Sequence, residues 1–99
     1  MKVSFTPRAI ADREAIFLYL SQRSPSGARN VMSRLRRGID LLSTQPYQGP
    51  ETDEDGVRVL FVGKYPYKVF YRVGEDTIEI LHIRHAARRP SEFESDYSE

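Results

Sequence analysis

The sequence predicts an α+β fold in the order β-α-α-β-β-β. An N-terminal strand and an antiparallel helical hairpin pack on one face of a small, mainly antiparallel four-stranded sheet. Three observations carry this reading. Two successive stretches, 7–23 and 27–43, place apolar residues every three or four positions, the period of an amphipathic helix. From Val57 onward the pattern becomes short runs rich in Val, Ile, Tyr and Phe, which suit strands. The last two runs are separated by Gly74, Glu75 and Asp76, a composition that makes tight turns.

Lys2 to Thr6 alternates polar and apolar residues and reads as the first strand. Thr6-Pro7 marks a helix start, because Thr caps well and Pro suits the first helical position. Ile10, Ile16, Phe17, Leu20 and one side of Tyr19 form the expected apolar stripe. Asp12 and Glu14 lie in early turns and Arg23 in the last, which suits the helix dipole. In the SPSG segment at 24–27, Ser24 or Ser26 caps a second helix from about Gly27 to Ser43. Its stripe is Ala28, Val31, Met32, Leu35, Ile39 and Leu42, with Arg34, Arg36 and Arg37 mostly off it. Residues 44–56, with prolines, glycines and the acidic run Glu51–Asp55, read as a loop. Strands follow at Val57–Val62, Tyr67–Val73 and Thr77–Arg84. The acidic end, about 91–99, is expected to be flexible or frayed.

The 99 residues are expected to form one domain, 1–99, of ordinary globular composition and a net charge of +1. No run approaches the roughly 18–20 apolar residues of a membrane span. The charged N-terminus lacks an apolar signal segment. The absence of cysteine excludes disulfides, thiolate metal sites and a Cys nucleophile, and fits a cytoplasmic location. The two histidines, His82 and His85, have no carboxylate cluster at metal spacing, so neither a metal nor another cofactor is expected.

Charge is placed locally: Arg84 to Arg89 holds three arginines and a histidine. Strict alternation on either side of a two-residue turn divides the last hairpin into two faces. Tyr67, Val69, Tyr71, Val73, Ile78, Ile80, His82 and Arg84 fall on one face, expected under the helices, with His82 a core-edge histidine. Lys68, Phe70, Arg72, Glu79, Leu81, Ile83 and His85 fall on the other, a partly exposed binding face where Arg72 and Glu79 pair. Glycine favours Gly74-Glu75 as the turn.

The segments YKVFYRV (67–73) and IEILHIRHAARRP (78–90), with the helix opening FTPRAIADREAIFLYLSQRS, resemble the RelE/ParE superfamily of toxins from bacterial type II toxin–antitoxin modules. The resemblance covers nearly the whole chain and implies the βααβββ toxin fold. It also implies a cognate antitoxin that neutralises the toxin in a hetero-oligomer, with operator DNA engaged only through that antitoxin. RelE-like members cleave mRNA in the ribosomal A site, using basic side chains with a tyrosine or histidine to activate the ribose 2′-OH. ParE-like members lack much of that set and inhibit DNA gyrase.

Carried over, the basic position of the third strand falls on Lys68 and the one after the fourth strand on Arg88. The two lysines of a ribonuclease's second strand fall near Val59 and Phe61, and its late tyrosine near Phe93 or Glu94. Tyr97 substitutes only if the tail folds back. The ParE-like branch fits better: a non-enzymatic growth regulator of the plasmid-stabilization type that poisons DNA gyrase. Its expected target- or antitoxin-binding residues are Arg58, Lys68, Arg72, Arg84, His85, Arg88 and Arg89. The alternative is a ribosome-dependent endoribonuclease using Lys68, His85 and Arg88, with His85 as acid or base. A further alternative is a non-toxic partner that serves only as the antitoxin's co-repressor.

Overall fold

The computed structural model describes residues 1–85; the expectations for Arg88, Arg89 and the acidic tail lie outside them. The elements are β1 (Lys2–Phe5), α1 (Pro7–Ser21), α2 (Pro25–Leu41), β2 (Arg58–Phe61), β3 (Tyr67–Val73) and β4 (Thr77–His85). Both helix starts follow the capping chemistry. Thr6 Oγ1 accepts from the Ala9 N–H at 3.0 Å, and Ser24 Oγ accepts from the Gly27 N–H at 3.1 Å. Each cap precedes a proline, whose missing N–H is no loss in a first turn. The second cap is therefore Ser24, and α2 begins two residues before the expected Gly27.

The sheet order is β1-β4-β3-β2. β1 runs parallel to β4, with Val3 opposite Ile78 and Phe5 opposite Ile80; the other pairs are antiparallel. The helices cover one face. Ala9 and Ile16 of α1 and Val31, Leu35 and Ile39 of α2 form one cluster with Leu60, Tyr67, Val69, Tyr71, Ile78, Ile80 and Ile83.

Three features depart from expectation. The β3–β4 ladder keeps Val73 opposite Ile78 and Tyr71 opposite Ile80, then shifts, so that Phe70 faces His82, Val69 faces Ile83 and Lys68 faces Arg84. Leu81 is the extra residue of a β-bulge, and a bulge reverses the inward–outward phase beyond it. Ile83 therefore enters the core at 0% exposure, while His82 and Arg84 move to the outer face. His85, expected beside Lys68, instead faces Tyr67, their rings edge-on at 5.3 Å. The turn is Glu75-Asp76, because Gly74 N–H still bonds Thr77 C=O at 2.8 Å.

The inner stripe of α1 also differs. It is Ala9, Asp12 and Ile16, whereas Ile10, Phe17 and Tyr19 are exposed. Asp12 is buried at 1% exposure rather than serving the helix dipole; its Oδ2 accepts from the Ile83 N–H at 2.9 Å.

The 44–56 loop is anchored from beneath. Tyr71 Oη donates to Pro46 C=O at 2.8 Å and accepts from the Gly49 N–H at 3.0 Å. Val59 N–H donates to Pro50 C=O at 3.0 Å and Thr52 N–H to Val57 C=O at 2.8 Å, so segment 50–52 lies along the edge of β2. Covering the edge there blocks its use as a pairing template.

Candidate functional site

The outer face of the sheet carries three of the basic residues the sequence singled out, Lys68, Arg72 and Arg84. Register fixes two cross-strand rows. Phe61, Lys68 and Arg84 form one; Val59, Phe70 and His82 form the other. Arg72 and Glu79 face each other next in line, but their charged groups do not close to ion-pair distance. The first row is cationic with an apolar end, since Phe61 is 59% exposed.

The second row is largely apolar. The His82 ring stacks on Phe70 at 4.5 Å between centroids and 19° between planes. Burial, with the Arg8 and Arg84 charges nearby, pushes its pKa down from 6.5 to about 4. Its Nδ1 is buried and makes no hydrogen bond among the described residues. Lys68 Nζ lies 5.6 Å from the Phe70 ring, at cation–π distance. At neutral pH the row is therefore an uncharged aromatic step flanked by cations. It offers stacking and apolar area more readily than proton transfer, which is most effective for groups titrating near the working pH.

Of the expected binding residues, Lys68, Arg72 and Arg84 share the outer face. Arg58 does not belong with them. It lies opposite Tyr71, its guanidinium donates to Gly49 C=O at 2.7 Å and Glu51 Oε2 at 3.2 Å, and it covers the Tyr47 ring at 4.9 Å. It closes the loop onto β2. His85 is on the opposite face with Tyr67. Arg88 and Arg89 lie outside the described residues.

His82 escaped the sequence reading as a residue of this face, and Arg84, though an expected binding residue, was placed on the other one; the bulge hid both. The charge of Arg8 near His82 was hidden by its distance along the chain. A signal for His82 and Arg84 was present. Apolar residues occupy Ile78 and Ile80, then Leu81 and Ile83, a change of phase within one strand.

Comparison with known proteins agrees with this architecture. Residues 3–90 match the family described as ParE toxin of type II toxin-antitoxin system, parDE. The chain is 38% identical over 87 residues to Toxin RelE2 of Caulobacter vibrioides, covering 88% of this chain and 97% of that protein. Among solved structures it is similar to the chromosomal ParDE TA system from P. aeruginosa, with a TM-score of 0.76 and 25% identity, covering 86% of this chain and 95% of that one. The isolated E. coli RelE toxin shares the fold at a TM-score of 0.66 and 13% identity, over 92% of this chain and 89% of that one. With its helical hairpin on a four-stranded mixed sheet, the chain belongs to the ParE toxin family of type II toxin–antitoxin systems.

Proposed function

We propose that this chain acts in the cytoplasm as a ParE-like toxin, stopping growth by docking on DNA gyrase through the outer sheet face. Family membership implies an antitoxin partner, which holds it inactive. No helix among the described residues is long and apolar enough to cross a membrane. The observation that carries the reading is the row Val59–Phe70–His82 beside Phe61–Lys68–Arg84. The strand-two positions that hold lysines in the ribonuclease branch are here Val59 and Phe61, on the same face as Lys68. The histidine on that face is held neutral. Cations interleaved with an exposed aromatic suit a protein surface, where aromatic and arginine anchors dominate binding. The test is supercoiling by purified gyrase with toxin added. Inhibition with trapped cleavage complexes is expected; full supercoiling at micromolar toxin rejects the reading.

One observation favours a second reading. Lys68 and Arg84 lie side by side next to the stacked Phe70–His82 pair, where a phosphate and a base could be held together. Primer extension on translated mRNA tests it. A-site cuts that vanish in Lys68→Ala and Arg84→Ala would favour cleavage of mRNA over gyrase.

A further inference from the structure

Beyond Phe5, β4 loses its parallel neighbour and its outward-facing backbone groups need other partners. Even-numbered β3 residues bond toward β4, as Gly74 N–H does to Thr77 C=O, so Val69 and Ile83 do not exchange ladder bonds. The Ile83 N–H points away from β3, past the end of β1. The start of α1 fills that place. Thr6 N–H donates to Ile80 C=O at 3.0 Å, Thr6 Oγ1 donates to Leu81 C=O at 2.7 Å, and Asp12 Oδ2 accepts from the Ile83 N–H at 2.9 Å. Together these bonds grip the strand on both sides of the bulged residue.

Burial of Ile83 alone requires a phase change somewhere between Ile80 and Ile83, but does not say where. Were His82 the extra residue, Leu81 would lie opposite Phe70 and the histidine would leave the stack. A carboxylate at 12 is also an expensive choice. The position lies on the stripe with Ala9 and Ile16, where an apolar side chain would bury without desolvating a polar group. We infer that Thr6 and Asp12 are positioning residues that fix the bulge at Leu81 and thereby set His82 against Phe70 and Arg84 beside Lys68. The inference rests on the outer face being the docking surface for its functional consequence, though not for its structural one.

The test uses the full chain with Asp12→Asn, Asp12→Ala and Thr6→Val. Asp12→Ala is expected to speed exchange of the Ile83 amide roughly 10- to 100-fold, the cost of leaving a buried donor without its acceptor. The Val59 amide, bonded to Pro50 on the far edge, should not change. Asp12→Asn keeps an acceptor oxygen and restores most of the protection. Cross-strand proximity of Phe70 to His82, seen by NMR, should weaken in Asp12→Ala and Thr6→Val. Its persistence unchanged in both overturns the inference, as does equal acceleration of the Ile83 and Val59 amides, which marks general destabilisation. If Asp12→Ala does not fold, Thr6→Val and Asp12→Asn decide on the same proximities.

A functional cycle separates positioning from general support. Arg84→Ala should lower growth inhibition about tenfold in the wild-type background and markedly less in Asp12→Ala, because coupled residues are not additive. Full additivity overturns the positioning role. If Arg84→Ala has no effect in the wild-type background, the docking-face reading fails, while the amide and proximity measurements still decide whether Thr6 and Asp12 fix the bulge.

Discussion

His82 lies flat on Phe70 across the β3–β4 ladder, and its Nδ1 is sealed from solvent. Its folded pKa, about 4, is below its ordinary 6.5. Above pH 6.5 the folded and unfolded chains both carry it neutral. Between 6.5 and 4 the unfolded chain takes up a proton that the folded chain refuses, so stability falls as pH falls through that window. His82→Phe keeps a ring on Phe70 and removes the titration. Urea unfolding at pH 7.5 and 4.5 should show the wild type losing on the order of 2 kcal/mol more than the variant between the two. Equal losses would mean that the ring is accessible to protons in the folded protein.

Tyr71 links β3 to the 44–56 loop. Its hydroxyl is fully buried, and burial, the larger effect, raises its pKa despite the Gly49 N–H bond and the Arg58 charge, which lower it. It therefore remains a donor to Pro46 C=O at ordinary pH. Tyr71→Phe leaves that carbonyl and the Gly49 N–H without their partner and should cost about 1–3 kcal/mol. The urea midpoint should fall with little change in slope.

Gly49 has no room for a side chain. A Cβ there would come within 2.3 Å of Val59 O and 2.9 Å of Tyr71 Oη. Gly49→Ala should push the loop off β2 and cost more than Tyr71→Phe, about 3 kcal/mol or above. Gly38→Ala, where the nearest atom is Leu60 Cδ2 at 3.4 Å, should be neutral or slightly stabilising, since α2 gains a better helix former. Thermal unfolding of both variants checks the contrast.

Arg58 and Arg84 are both half-buried strand arginines, yet they should fail in different ways. Arg58→Ala removes the bond to Gly49 C=O and should lower stability by about 1–2 kcal/mol, leaving the proposed gyrase inhibition per folded molecule unchanged. Arg84→Glu and Lys68→Glu reverse charge on the proposed docking face and should weaken target binding by about tenfold or more. Inhibition titrations paired with unfolding curves separate the two effects. Loss of inhibition by folded Arg58→Ala would return that residue to the binding set.

Much of the fold was legible in the sequence. Thr6-Pro7 announces the first helix and the SPSG segment the start of the second, though not which serine caps it, and the change from helical to strand period at Val57 announces the sheet. The extent of β3, Tyr67–Val73, came out as expected because its alternation is uninterrupted. The stripe of α2 also held, since Ala28, Val31, Leu35 and Ile39 are its buried residues. The stripe of α1 did not. Its apolar residues are spread around the helix, and the side turned inward contains an aspartate that no hydrophobicity pattern selects.

By itself, then, the sequence determined the order of elements, the cap of the first helix, the faces of the hairpin from its turn as far as Ile80, and the apolar side chains at Val59 and Phe61. Those properties are local: each depends on residues a few positions apart. Only the tertiary structure decided that His82 and Arg84 look outward, that His85 turns to Tyr67, and that Arg58 fastens the loop. The reason is that alternation specifies a face only relative to its neighbours. A single extra residue resets it, and where that residue sits is settled by bonds such as Asp12 to Ile83, between positions 71 apart in the chain.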